Sequence, residues 1–139
     1  MISVKDLRIG NWVDVRNSQR VIFGKEPRYT EVYDIGFNGI NISSSFEGSF
    51  ECDYKEESLF GIELNPSILE KFGFENLYIE YCESYRNDKF HIEFIPDNSI
   101  YIRKVVSEES SHYLADIKYI HELQNIHYDL FKTELTITL

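Results

Sequence analysis

Short runs of alternating apolar and polar residues fill the first third of the chain, and this two-residue period is typical of half-buried β-strands. Asn38 and Gly39 stand between two such runs, and an Asn-Gly pair favours a type I′ hairpin turn because both central residues need a positive φ. The predicted strands span residues 12–15, 20–23, 29–37, 40–43 and 46–54. Several short strands at this spacing predict a bent antiparallel sheet or a small SH3-like barrel.

A short helix is predicted after residue 64, because start and stop signals for a helix occur there in the right order. Asn65 is a suitable N-cap, and Pro66 fits the first helical position, where its missing N–H costs nothing. Gly73 suits the left-handed residue that follows a helix, and Phe74 then falls where a Schellman motif places an apolar contact.

The second half of the chain alternates like an antiparallel meander and then changes to a helical period. Strands are predicted over residues 77–85, 90–95, 100–106 and 112–118. Apolar positions then recur at Ile120, Leu123, Ile126 or His127, and Leu130, which predicts a helix from about residue 119 to 132. β-branched residues predict a terminal strand over residues 136–139.

These elements predict an α+β fold, in which an N-terminal bent antiparallel sheet or small SH3-like barrel leads through a short helix to an antiparallel meander packed by a C-terminal helix. We expect a β-rich region over residues 1–64 and a second region over residues 65–139. The two regions should form one compact unit, since a chain of 139 residues suits a single domain.

The chain is strongly acidic, with a net charge of −10 from 24 acidic and 14 basic side chains. The acidic excess is spread evenly, so there is no basic region to bind the phosphate backbone of a nucleic acid. Such a protein is repelled by nucleic acids and by anionic membranes, and we expect neither as a partner. An alternative is that the negative charge itself mimics a polyanion and occupies a basic partner.

Nothing in the sequence predicts export or membrane insertion. The residues after Met1 lack the apolar run of a signal peptide, and no stretch approaches the ~20 apolar residues of a membrane span. Cys52 and Cys82 are therefore expected to stay reduced, and we expect a cytoplasmic protein.

Three short segments of the sequence occur in an order that is also found in other proteins. Residues 7–13 read LRIGNWV, residues 69–74 read LEKFGF and residues 119–128 read YIHELQNIHY. Together they resemble an uncharacterised family of small bacterial and phage proteins. The chain departs from the family pattern at Thr133, where a Gly is expected at the helix end. The resemblance implies a small protein, often encoded on phages or mobile elements, and it supplies no catalytic residues.

The histidines, cysteines and acids do not form a recognisable metal or catalytic motif. His121 and His127 are six residues apart, about 240° around a helix, so they cannot share one ion as the His-Glu-x-x-His motif does. An acidic run between residues 47 and 57 lacks the calcium-loop pattern and is better explained as a solvated strand face. The spacing of the other candidates, Cys52, Cys82, His91 and His112, matches no zinc-binding pattern. We predict no metal, no cofactor and no catalytic residue.

Two groups of residues are candidates for binding. Gln124 and Asn125 lie within the predicted C-terminal helix, where at least one amide must approach the core and be hydrogen-bonded there. Such an amide either ties the helix to a strand or loop backbone, or forms one wall of a ligand pocket. The only tryptophan, Trp12, is either a core residue or an interface anchor on a rim beside Tyr29 or Tyr33. The candidate binding residues are Trp12, Tyr29, Tyr33, His121, Gln124 and Asn125.

Two classes of function fit this sequence. The first is a non-catalytic interaction protein that binds a protein partner or forms a homo-oligomer, and it includes a phage or mobile-element modulator of a host protein. Negative charge and abundant tyrosine favour it. The second is a small-ligand-binding protein or enzyme with a pocket around residues 121–125. Convergent polar side chains in a closed pocket would favour the second class, and an exposed Tyr-rich patch would favour the first.

Overall fold

A computed structural model describes residues 2–15, 29–36, 39–43, 53–54 and 59–136 of the chain. These residues form two antiparallel sheets with helices, so the predicted α+β class is confirmed. The chain divides into two compact units. The first contains residues 1–63 and 119–135, and the second contains residues 64–118 and 136–139.

The sheet of the first unit has five short strands in the order β4-β3-β2-β1-β5. A 3-10 helix, Val4–Asp6, precedes them. The strands are β1 (Trp12–Val15), β2 (Tyr29–Gly36), β3 (Gly39–Ser43), β4 (Asp53–Tyr54) and β5 (Leu59–Phe60). Four strands follow one another as antiparallel neighbours, and β5 returns to pair with β1. This order confirms an antiparallel sheet in the first unit, and the SH3-like barrel remains a prediction.

The first unit confirms the predicted strands where the structure describes them. β1 has the predicted bounds, β2 agrees with the prediction over the residues that the structure describes, and β3 begins one residue earlier than predicted. Gly36 pairs with Gly39, so Gly39 begins β3 instead of lying in the hairpin loop. The predicted strand over residues 20–23 and most of the one over 46–54 lie outside the described residues.

A small apolar cluster forms the core of this unit. Its members come from the N-terminal segment, β1, β2 and β5: Ile2, Leu7, Val13, Val32 and Leu59, with the half-buried Ile35 packed against them. Burial of such side chains is worth roughly 1.5–3 kcal/mol each, and it is the main stabilising term for a sheet of this size.

The second unit begins with α1 (Pro66–Lys71), which confirms the predicted short helix and both of its ends. The Asn65 side chain accepts a hydrogen bond of 3.0 Å from the N–H of Ile68. At the other end Gly73 has a φ of 82°, a conformation that residues with a Cβ adopt at a cost. The Phe74 N–H then donates to the Leu69 carbonyl at 3.0 Å, as a Schellman motif requires.

The sheet of the second unit is the predicted meander, with the order β10-β9-β8-β7-β6. Its strands are β6 (Glu75–Asn76), β7 (Glu83–Arg86), β8 (Phe90–Phe94), β9 (Ile100–Val105) and β10 (Ser111–Ile117). Phe90 and Ile92 are buried in β8, as Ile100 and Ile102 are in β9, while the residues between them are partly exposed. This alternation is the one expected of a sheet with one dry face.

One predicted strand is wrong over most of its length. Residues 77–82 form a loop between β6 and β7 instead of a strand that runs through residues 77–85. The reason is the backbone of Tyr78, whose φ of 51° is incompatible with an extended strand. The Asn76 side chain stabilises this bend, because its Oδ1 accepts a hydrogen bond of 2.7 Å from the Tyr78 N–H.

The C-terminal helix, α2 (Ile120–Phe131), starts and ends near the predicted positions. Its first turn is capped by Glu122, whose carboxylate accepts the Tyr119 N–H at 2.9 Å. Its last turn closes at Lys132, which takes the left-handed conformation, with a φ of 55°. The family resemblance led us to expect a glycine at the end of the helix, at position 133. The left-handed residue is instead Lys132, one position earlier.

The stripe of α2 that is buried differs in part from the prediction. Ile120, Leu123 and His127 are buried, whereas Ile126 is only partly buried and Leu130 is 41% exposed. His127 is therefore the correct one of the two alternatives for the third position. Leu130 is the second-last residue of the helix, in the turn that ends at Phe131.

α2 belongs to the first unit, although we assigned it to the region 65–139. Backbone contacts made where the chain returns account for this. Ile120 donates to the Ile62 carbonyl at 2.9 Å, and Tyr119 forms a bridge with Glu63. Gly61 lies so close to the Tyr119 ring that a Cβ at this position would overlap the ring. A hydrogen-bonding pattern that joins residues so far apart in the chain leaves no trace in a local periodicity.

Candidate functional site

The amide of Gln124 joins α2 to the start of β1. Its Nε2 donates to the Gly10 carbonyl at 2.9 Å, and its Oε1 accepts the Trp12 N–H at 2.9 Å. One side chain thus satisfies a backbone acceptor and a backbone donor two residues apart, much as a neighbouring strand would. Gln124 is 1% exposed, so these bonds form away from water. A buried amide needs such partners, because each unpaired polar group costs about 1–3 kcal/mol.

Asn125 makes a second set of bonds to the same N-terminal segment. Its Nδ2 donates to the Asp6 carbonyl at 2.8 Å. Its Oδ1 accepts two hydrogen bonds, one from Asn11 Nδ2 at 3.0 Å and one from Arg8 Nε at 2.9 Å. Neighbouring residues of a helix point in directions about 100° apart, so Gln124 and Asn125 reach different parts of the segment.

Arg8 connects this arrangement to the residues that follow α2. Its guanidinium donates to the Gln124 carbonyl at 3.2 Å and to Glu134 Oε1 at 2.9 Å. Arg8 Cζ also lies 4.1 Å from the centroid of the Tyr128 ring, within the range of a cation–π contact. Because Arg8 and Glu134 are partly exposed, we assign this ion pair a small share of the stability.

Asn11 holds the turn that presents these groups. Asn11 is fully buried, and its Oδ1 accepts the Arg8 N–H at 2.6 Å. Its backbone carbonyl accepts the Val32 N–H at 2.8 Å, while Gly10 donates to the Val32 carbonyl at 2.6 Å. Gly10 has a φ of 93°, which favours glycine at this point of the turn. We call the five side chains Arg8, Asn11, Gln124, Asn125 and Glu134 the amide network.

The amide network brings two of the three short segments together. Arg8 and Asn11 come from LRIGNWV, and Gln124 and Asn125 come from YIHELQNIHY. The hydrogen bonds that we predicted as the structural alternative for the amides are therefore present. Arg8 and Asn11 were not among the candidate residues, and only their place in the first of these segments singled them out.

His121 and His127 are both buried but have different surroundings. The His121 ring stacks on Tyr119 at 5.6 Å, and its Nδ1 is buried with no hydrogen-bond partner among the described residues. Burial lowers the pKa of His121, an effect that the carboxylates of Glu122 and Asp6 partly oppose. His127 Nδ1 lies 2.8 Å from the Thr133 carbonyl and so ties the helix to its own exit.

The structure gathers only some of the candidate binding residues. Trp12 is partly buried, and its backbone N–H donates a hydrogen bond to Gln124. In the sheet Trp12 pairs with Glu31 of β2. Tyr29 and Tyr33 also lie in β2, where Tyr29 pairs with Asp14 and Tyr33 sits at a shift in register. Among the described residues, no group of three histidines, cysteines or acids could hold a metal ion.

A further surface feature was missed by sequence reasoning. In the loop between β6 and β7, Tyr78 is 87% exposed and Tyr81 is 85% exposed. Leu77 and Ile79, in the same loop, are also exposed. Three large apolar residues in succession at 77–79 break the alternation of a half-buried strand, but such a run is typical of a fully buried strand, so the sequence did not indicate their exposure.

The sheet of the second unit contains a partly buried histidine and an ion pair. His91 is partly buried, and its pKa is lowered by burial and by Arg86 and Arg103, while Glu93 acts in the opposite direction. Glu93 is itself paired with Arg103, whose Nε lies 2.9 Å from its Oε1. This is a cross-strand ion pair of the ordinary kind, since β8 and β9 are neighbours.

Comparisons with models of protein families, with curated protein sequences and with solved structures returned no match. The resemblance to small bacterial and phage proteins therefore remains a prediction. Within the part of the chain that the structure describes, neither α-helix has the length and apolar character needed to cross a membrane.

Proposed function

We propose that this protein is a non-catalytic interaction module that binds a protein partner through residues 77–81, which we call the docking loop. The observation that carries the proposal is the exposure of four large apolar side chains within five consecutive residues. Single exposed apolar residues are common on protein surfaces, but a contiguous group marks an interaction site more often. Tyrosine is also among the residues that contribute most to binding energy at interfaces.

The docking loop is held in place by its own flanks. The Leu77 N–H donates to the Ser84 carbonyl at 2.8 Å, which closes the loop at its base. The Asn76 amide fixes the bend at Tyr78, and its Nδ2 lies 3.3 Å from the Tyr85 hydroxyl. A loop ordered before binding loses less conformational entropy when a partner contacts it. The exposed tyrosines are thus presented by a defined backbone.

The amide network supports a structural role for the residues that suggested a pocket. Both polar atoms of the Gln124 side chain are used by the backbone of the same unit. Asn125 likewise contacts Asp6, Arg8 and Asn11. These contacts favour the interaction class over the alternative of a ligand pocket around residues 121–125.

We extend the proposal to a protein of a host cell, because the resembling family is often encoded on phages.

Affinity purification from the native host tests this proposal when wild type is compared with the Tyr78→Ser/Tyr81→Ser variant. We expect a specific partner, quantified by mass spectrometry, to fall at least about tenfold for the variant, since truncation of a central interface tyrosine typically costs more than about 1.4 kcal/mol. The control is Tyr113→Ser, which removes another exposed tyrosine of the same unit. Recovery of the same proteins in the same amounts by wild type and variant would refute the proposal.

A further inference from the structure

The docking loop contains one glutamate, and two more lie close to it in the sequence. Glu75, Glu80 and Glu83 are all exposed, and residues 75–83 contain no lysine or arginine. Residues 75–83 therefore carry two exposed tyrosines and a formal charge of −3, while Arg86 lies opposite Glu75 on the neighbouring strand. Negative charges near the edge of an apolar contact favour partners of the opposite sign and disfavour partners of the same sign.

This charge argues against three possible occupants. A second copy of the chain would bring the same acidic residues together across a symmetric contact, where like charges cost several kcal/mol. Nucleic acids and anionic membranes carry the same sign of charge as the loop. A protein with a basic surface is favoured on the same ground.

We infer that the docking loop binds an apolar cleft that is bordered by lysine or arginine side chains on a partner protein. This inference rests on the proposed function and adds the chemistry of the partner. Tyr78 and Tyr81 supply the apolar contact, and the three glutamates pair with the basic border. The two tyrosines together bury roughly 300–500 Å². That area is well below the roughly 800 Å² that each side of a standard interface buries, so we expect a Kd in the micromolar range.

The experiment uses a displayed library of random peptides as a defined probe. Peptides are selected on the full-length protein and then depleted on the Tyr78→Ser/Tyr81→Ser variant, so that those retained depend on the docking loop. We expect these peptides to be enriched in lysine or arginine beside leucine, phenylalanine or tryptophan. Their Kd should rise at least threefold between 50 and 200 mM salt, roughly as expected when about one charge pair is screened.

Two variants that each remove two negative charges test whether the position of the charge matters. In Glu80→Gln/Glu83→Gln the local charge is reduced while the tyrosines remain, and Glu108→Gln/Glu109→Gln removes two exposed charges elsewhere in the same unit. We expect the first variant to weaken peptide binding at least fivefold and the second to leave it within twofold of wild type.

The possible failures have different meanings. Loop-dependent peptides without basic residues, or equal binding by both glutamine variants, would overturn the inference about charge and leave the docking role in place. Failure to select any loop-dependent peptide would overturn both the inference and the proposed function. Concentration-dependent dimerisation in sedimentation experiments, abolished by Tyr78→Ser/Tyr81→Ser, would show that a second copy is the occupant and would also overturn the inference.

Discussion

At the scale of single residues, the most informative contact is the one between Gln124 and the backbone around Gly10. The Gln124 amide bonds to the Gly10 carbonyl and to the Trp12 N–H, and the residue is buried. The Gln124 amide supplies both the donor and the acceptor that these two backbone groups need. The stability of the first unit should therefore depend strongly on this residue.

Gln124→Ala is expected to lower the free energy of unfolding by about 2–4 kcal/mol, because it leaves two backbone groups without their partner. The measurement is chemical denaturation followed by circular dichroism, and the control is Asp129→Ala at an exposed position of the same helix. The control should change stability by no more than about 0.5 kcal/mol. Equal unfolding midpoints for Gln124→Ala and Asp129→Ala would contradict the structural role.

His121 is expected to make the stability of the protein depend on pH. Burial lowers its pKa in the folded state, so the unfolded chain binds a proton more readily. The stability that depends on neutral His121 is present above its unfolded pKa of about 6.5 and is lost as the pH falls through its lower folded value. Wild type should therefore lose stability as the pH falls below about 6.5.

We expect His121→Phe to remove part of this loss, measured as the difference in unfolding free energy between pH 7.5 and pH 5.5. The residual dependence includes His91, whose folded pKa is also lowered. His112→Phe is the matched control, because His112 is exposed. A pH dependence that is the same in His121→Phe as in wild type would show that His121 does not contribute.

At the scale of secondary-structure elements, α1 shows how local signals specify both ends of a helix. Asn65 caps the first turn, and the Phe74 N–H closes the last turn on Leu69. Each signal was readable in the sequence, because a cap acts on residues two to five positions away.

Asn65→Ala should destabilise the second unit by about 1 kcal/mol, since it removes the acceptor for the Ile68 N–H. Thermal unfolding followed by circular dichroism measures this effect. Glu70→Ala, at an exposed position of the same helix, provides the comparison and should leave the melting temperature nearly unchanged. A melting temperature for Asn65→Ala that equals that of Glu70→Ala would mean that the cap contributes nothing.

The elements also show where prediction from the sequence stops. The strands with one buried face were predictable because their period is local, as in β8 and β9. The loop over residues 77–82 was not predicted, because one left-handed residue at Tyr78 overrides a run of strand-forming side chains.

The candidate site was predictable only in part, for a different reason. Gln124 and Asn125 were recognised as buried amides from the helical pattern alone. Their partners Arg8 and Asn11 lie more than 110 residues away in the chain, and hydrogen bonds over that separation follow from tertiary structure. The same limit applies to α2, which we assigned to residues 65–139 and which groups with residues 1–63.

At the scale of the whole molecule, the chain divides polar residues between two uses. Within the first unit, the amide network forms hydrogen bonds with buried polar groups. The chain as a whole has a net charge of −10, and the second unit contains the tyrosine-rich docking loop. A net charge of this size opposes association with other polyanions. The proposed function depends on this contrast: the side chains of the amide network bond within the first unit, whereas those of the docking loop are exposed.

The most direct test compares two variants by the same two readouts, partner recovery in affinity purification and melting temperature. We predict that Tyr78→Ser/Tyr81→Ser loses the partner and keeps the melting temperature of wild type, because both tyrosines are exposed. Asn125→Ala should retain the partner and melt at a lower temperature, because Asn125 bonds to Asp6, Arg8 and Asn11. The reverse outcome, with binding lost by a stably folded Asn125→Ala and retained by the tyrosine variant, would contradict this account.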